Sequence, residues 1–218
     1  MTPIAVALSM VCVVGSARAT VLAPNSIANS VDVVAGGFGG TLLDSAITPI
    51  SNSSYNGIAR AAVYDTGTGM DFYYQFSSDI SSSNGLERFS GHDYSSIGAT
   101  NVEVFQTAAA FDLFVAGTEQ ADGADRTVHG VIGVSFVPNG LSKINPGTTS
   151  YTQIIRTNAR AYQVGGFGLL NGIGDNAVGF APAAAPVPEP ATYAMFMAGL
   201  GLLGLRQWRR LSVQNNAA

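Results

Sequence analysis

The chemistry-bearing residues of this chain are few, and their spacing decides what they can do. Only two histidines occur, His92 and His129. His92 stands beside Asp93 in "SGHDYSS", an acid and a base in sequence, but neighbours on an extended chain point to opposite sides, so a surface loop is the preferred reading. His129 falls on the less apolar side of an alternating strand and reads as structural. A serine nucleophile needs a Gly-x-Ser-x-Gly elbow, and Gly133-Val134-Ser135-Phe136-Val137 lacks the second glycine. Glu119, Asp122 and Asp125 could offer oxygens to Ca²⁺, which takes six to eight ligands; three carboxylates in one loop read first as a solvated turn. Tyr73 and Phe105 could stack on sugar rings if exposed, although core packing is the simpler expectation. The glycine clusters at Gly36 and Gly165 lack the βαβ surroundings of a dinucleotide site. No catalytic residue, cofactor site or metal site is assigned, and the chain reads as a non-enzyme.

These residues sit in a body built of short strands. In "DFYYQF", Phe72, Tyr74 and Phe76 share one face and Asp71, Tyr73 and Gln75 the other, the period of a strand with one core face. Val128, Ile132, Val134 and Phe136 alternate likewise in "VHGVIGVSF". Similar windows begin at Val31, Gly40, Gly57, Thr100, Phe111 and Ser150, for eight to ten strands in all. Gly117 to Thr127, "GTEQADGADRT", reads as a hairpin connection with Asp-Gly turn chemistry. Ser77 to Ala99 reads as a long surface loop. Many short strands without amphipathic helices imply an all-β fold, an antiparallel sandwich or jelly roll, assigned to residues 20–180.

Composition narrows the function classes. The 218 residues suit one domain with appendages, and only 11% are charged, against about 25% in ordinary globular chains. From Thr20 to Val187 six basic residues face 13 acidic ones, a net charge of −7. An acidic body without a basic patch excludes nucleic acid as a partner. The single cysteine, Cys12, lies in the first apolar stretch; Val11 before it does not suit lipidation, and removal of that stretch would leave no thiol.

The two ends read as addresses. Residues 1–19 combine an apolar run from Ile4 to Val14 with Ala17-Arg18-Ala19, the small-x-small pattern of a signal-peptidase site. A signal helix handled by signal peptidase and the general export machinery is expected there. At the other end, Ala181 to Pro190 is a Pro/Ala-rich linker, since four prolines fix φ and remove backbone donors. Ala191 to Leu205 is uncharged, about 22 Å long as a helix at 1.5 Å per residue, short of the roughly 30 Å bilayer core. Arg206 can snorkel and Trp208 can sit among headgroups, so a single C-terminal transmembrane helix is expected over 191–205. The basic tail 206–210, with Arg206, Arg209 and Arg210, holds the C-terminus in the cytoplasm by the positive-inside rule.

Val187-Pro188-Glu189-Pro190, the glycine-rich apolar run and the arginine cluster together resemble the PEP-CTERM sorting signal of Gram-negative bacteria that make exopolysaccharide, assigned here to 188–211. The resemblance extends weakly upstream over Tyr151 to Ala183, through Thr157-Asn158-Ala159 and Tyr162-Gln163, with Asn171-Gly172 where such proteins carry Asp-Gly. It implies that Pro188, Glu189 and Pro190 are the sorting motif. It also implies an exosortase-type membrane cysteine protease as partner, an inner-membrane precursor, and a mature form at the cell surface or in an exopolysaccharide matrix, as in a biofilm or floc. The expected function is that of an exported, non-enzymatic surface or matrix protein. Two alternatives are a carbohydrate-binding module, Ca²⁺-dependent through the loop around Asp122, and a secreted hydrolase.

The Ala17-x-Ala19 pattern places the mature N-terminus at Thr20. N-terminal sequencing of exported protein should read Thr20 first; retention of Met1 would refute the boundary.

Overall fold

The computed structural model describes residues 19–37, 39–137, 143–184 and 200. The expected signal helix and the expected membrane helix at 191–205 lie outside these residues, apart from Ala19 and Leu200. Among the described residues no helix is long and apolar enough to cross a membrane. The chain divides into two units, Met1–Ala183 and Ala184–Ala218, and the described strands all fall in the first.

The unit is all-β. Thirteen strands follow in chain order: β1 (Thr20–Leu22), β2 (Ser26–Ala28), β3 (Asp32–Val33), β4 (Thr41–Ser51), β5 (Asn56–Asp65), β6 (Met70–Ser78), β7 (Arg88–Asp93), β8 (Val102–Thr107), β9 (Gly123–Arg126), β10 (Val131–Ser135), β11 (Thr152–Thr157), β12 (Tyr162–Asn171) and β13 (Ile173–Pro182). One sheet has seven strands in the order β1-β8-β11-β6-β5-β4, with β3 also on β8; the other has six, β13-β12-β7-β10-β9-β2. Every pairing is antiparallel except β3 with β8. β1 and β3 occupy successive stretches of the same edge of β8, at Val102 to Val104 and at Phe105 to Gln106.

The two sheets meet around one core. Phe72, Tyr74 and Phe76 from β6 join Phe89, Ile132, Val134, Phe136 and Phe167 from the other sheet, all nearly without solvent exposure. Tyr74 and Phe167 pack across the sheets with tilted rings, centroids 5.1 Å apart. The alternation in β6 therefore sets the inner face as expected. Its other face differs from the expectation, because Asp71, Tyr73 and Gln75 are buried as well. Tyr73 belongs to a second cluster with Val34, Tyr64, Phe105, Phe114 and Ile154. Residues 108–122 lie over that face, so the middle of the seven-stranded sheet, β8, β11 and β6, is buried on both sides, while β4 is largely exposed.

That cover accounts for one misread window. Phe111 to Ala116 pairs as no regular strand: Phe111 and Phe114 bond each other in a tight turn, with Asp112 at φ 48. Their rings pack 5.0 Å apart, and Phe111 and Phe114 both lie on Tyr73. An apolar pattern that serves a folded-over cover reads from sequence like a strand. A buried backbone without a ladder must find other partners, and the glutamines supply them. Gln75 Oε1 accepts the Val115 N–H at 3.0 Å, while Nε2 donates to Val115 O at 2.7 Å. Gln106 treats Ala121 alike, accepting at 2.8 Å and donating at 3.0 Å, and donates also to Val31 O at 2.9 Å.

Two further segments depart from the sequence expectation. The stretch read as a loop from Ser77 to Ala99 contains β7, which lies in the six-stranded sheet between β12 and β10, together with the buried Leu86 and Tyr94. Its Ser, Asn and Gly residues hide a strand too short for periodicity to show. The Asp122-Gly123 pair is not a turn either: Gly123 opens β9, and the chain reverses at Thr127 to Gly130, where Gly130 N–H donates to Thr127 O. Gly123 has its would-be Cβ position 2.7 Å from Ala28 O, so the glycine serves close strand packing instead. Asn171-Gly172, where the resemblance led to Asp-Gly, turns the chain between β12 and β13, with Gly172 at φ 65. β13 runs through Pro182, two residues into the stretch read as linker.

Replacing Gln106 by Leu leaves three buried backbone groups without their partner. At about 1–3 kcal/mol per unsatisfied buried group, a loss of at least about 2 kcal/mol is expected in urea unfolding. The exposed Gln163→Leu should stay within about 0.5 kcal/mol of wild type.

Candidate functional site

The structure disperses the candidate chemistry read from sequence. His92 lies in β7 and not in a loop, and the Asp93 carboxylate accepts the Ser95 N–H at 2.7 Å, at the start of a short 3₁₀ turn, Ser95–Ile97. His129 sits in the exposed turn between β9 and β10 and not on a strand face. Ser135 ends β10, and its Oγ accepts a hydrogen bond from Arg88 Nη1 at 2.7 Å. The same Nη1 also donates to the Asp125 carboxylate at 2.6 Å, so Ser135 belongs to the Arg88–Asp125 ion pair.

The acidic loop separates in the same way. Asp125 is held in a two-pronged ion pair by Arg88, at 2.6 and 2.9 Å. Asp122 is buried, and its Oδ2 has no hydrogen-bond partner. Glu119 is tied through its backbone to Thr149 and Tyr151. Among the described residues no group of three metal-ligating side chains gathers, and neither the solvated turn expected here nor the alternative Ca²⁺ loop around Asp122 matches the geometry: Asp122 is buried just before β9 and Asp125 lies within it. Tyr73 and Phe105 are 1% and 3% exposed, which removes both as sugar platforms. Arg156 lies over the Phe105 ring at 5.6 Å.

The buried polar groups that the structure does bring together join elements. Arg156 holds Asp71 between β11 and β6 through Nε at 3.0 Å and Nη2 at 2.9 Å. Burial raises the Asp71 carboxyl above its ordinary value, with the Arg156 hydrogen bond and charge opposing. The Tyr74 hydroxyl lies 3.1 Å from that of Tyr94 and donates to Phe180 O, joining β6 to β13. Burial raises both phenols, so both stay protonated.

The residue that sequence reading passed over is Arg126. It ends β9, where Ala124 and Arg126 share the face toward the core, and it is 2% exposed. Nη1 donates to Thr100 O at 2.5 Å and Nη2 to Gly98 O at 2.9 Å, while Nε has no partner. Burial lowers its pKa, with Tyr94 opposing. The signal was the same period of two that marks the other strands, obscured because "GADR" was read as part of a turn.

The address residues stand at the margins of the described unit. Ala19 directly precedes β1, and Thr20 opens it opposite Val104; Ala17 lies outside the described residues. Pro188, Glu189, Pro190, Arg206, Arg209 and Arg210 lie outside them too. A family model described as the PEP-CTERM protein-sorting motif matches residues 186–210. The tail thus carries a PEP-CTERM sorting motif, over nearly the span that the resemblance assigned. No curated protein and no solved structure matches the chain.

A raised folded-state pKa at Asp71 means that the native state binds this proton more readily than the unfolded chain. Stability from this group therefore grows as pH falls and shrinks as it rises. In thermal melts from pH 7 to about pH 4, wild type should gain stability relative to Asp71→Asn as the solution is acidified. A difference that stays flat or moves the other way contradicts the assignment.

Proposed function

We propose that this chain is an exported, non-enzymatic surface or extracellular-matrix protein, a β-sandwich ectodomain delivered by its two ends. In this reading an N-terminal signal peptide starts export and residues 191–205 hold the precursor in the inner membrane. An exosortase-type membrane cysteine protease then processes the tail near Pro188-Glu189-Pro190. The single observation that carries the reading is the PEP-CTERM motif at 186–210.

Physical chemistry supports the division of labour within the tail. Prolines at 188 and 190 deny the backbone two donors and hold it extended, the form in which a protease cleft takes a chain. An uncharged run of about 22 Å spans a bilayer only with snorkelling help, which suits transient retention better than permanent anchorage. Arg206, Arg209 and Arg210 supply the positive flank that keeps the C-terminus inside. The mature domain then acts at the cell surface or in the matrix, in association with exopolysaccharide.

Changing Pro188-Glu189-Pro190 to three alanines keeps hydrophobicity and flanking charge, so a plain anchor would behave as before. A sorted substrate should instead accumulate as uncleaved precursor in the inner membrane. Immunoblots of membrane and extracellular fractions from the native host distinguish the two. Processing and release like wild type would overturn the sorting reading. Glutamine at 206, 209 and 210 should weaken retention without trapping the precursor.

A further inference from the structure

Where the β9–β10 turn meets the 3₁₀ turn, the fold leaves a partly open cavity of about 190 Å³. Arg126 lies at its floor. Pro24 and Val128 form apolar walls, and Ser95 and His129 stand at the rim, exposed to solvent. The cavity exists because Gly130, at φ 88, brings the turn against Ser95; a Cβ there would sit 2.6 Å from the Ser95 nitrogen.

The guanidinium at the floor is the unusual feature. Arg88 and Arg156 each have a carboxylate, whereas Arg126 has only two backbone carbonyls. A guanidinium carries five N–H donors, so three remain unspent. A buried charge is costly unless it is paired, and here the missing partner is an acid in a body with more than twice as many acids as bases. The cavity beside it is smaller than the roughly 300–1,000 Å³ of drug-sized sites, so it takes a small group or the end of a larger molecule. One fixed positive charge matches a monoanion, and the planar fork of a guanidinium matches a carboxylate.

We propose that this cavity binds a carboxylate-bearing ligand, such as a uronic acid, with Arg126 as counter-ion and with His129 and Ser95 contributing further hydrogen bonds. The carboxylate can arrive on a free small acid or on a polymer end or branch. The site is independent of how the tail is processed, so its failure and that of the sorting reading are separate results.

The test uses the full-length chain in detergent micelles, titrated calorimetrically with glucuronate, with glucose as the uncharged counterpart and with inorganic phosphate. Glucuronate should bind and glucose should not. Arg126→Gln should abolish binding while retaining a β-rich circular dichroism spectrum. Should that variant fail to fold, Ala99→Trp, which fills the cavity from an exposed wall, decides the matter by abolishing binding in folded protein. His129→Ala should weaken it about tenfold, the worth of a hydrogen bond to a charged group. Tighter binding of an oligoglucuronate than of the monomer assigns the ligand to a polymer, and equal binding assigns it to a free acid. The proposal is overturned if glucose binds as glucuronate does, if neither binds, if phosphate binds as tightly as glucuronate, or if folded Ala99→Trp binds like wild type.

Discussion

Everything on the outer side of the seven-stranded sheet depends on the pairing of a strandless cover with side-chain amides. Gln75 and Gln106 present a donor and an acceptor at fixed spacing, as a peptide group does, and so complete the backbone bonding of Val115 and Ala121. Without them the segment could not lie on the sheet, since buried peptide groups that lose water must bond elsewhere. With them, Phe111 and Phe114 can close over Tyr73 and make a second apolar cluster. Gln153, opposite Gln106 on the neighbouring strand, extends the amide row through Tyr151 O and Gln106 Oε1.

The inner side is held by other means. A chain with a single cysteine forms no disulfide within itself, so an exported domain of this kind relies on burial and on bonds between distant elements. Aromatic rings from both sheets fill the core. The pair Tyr74 and Tyr94, with Phe180 O, links the central strand of one sheet to the edge strand of the other. Arg88 crosses from β7 to β9 to reach Asp125, joining strands that β10 separates. Asp71 is paired across two neighbouring strands and Asp125 across two strands that β10 separates, so each of these carboxylates has a cation as partner. Among the described residues Arg126 has no such carboxylate partner: it bonds two backbone carbonyls, its Nε has no hydrogen-bond partner, and the residue lines a cavity.

The chain combines a β unit with a tail that carries the sorting motif. β13, the last of the described strands, ends at Pro182. The sorting motif at 186–210 lies beyond that strand in the chain. At the other end β1 begins at Thr20, so the expected signal boundary meets the first paired residue.

The linear order of residues sufficed for features set by local chemistry. Alternation over Phe72, Tyr74 and Phe76 marks a strand with an inward face, Asn171-Gly172 marks a tight reversal, and the Pro-Glu-Pro, apolar and arginine sequence marks the sorting tail, because each depends on neighbours a few positions apart. What covers the other face of β6 was not legible, since Gln75 and Gln106 look like solvent-facing residues until Val115 and Ala121 arrive from 40 and 15 positions away. The same holds for Asp125, whose partner Arg88 lies 37 residues upstream, and for β7, which has too little periodicity of its own and exists as a strand because β10 and β12 flank it. Arg126 is the clearest case: as a residue it is one more surface cation, and only the placement of Gly98, Thr100 and the turn at Gly130 around it makes it a buried charge without an acid. Tertiary structure decided these because burial and ionic pairing depend on distance in space, while sequence records only distance along the chain.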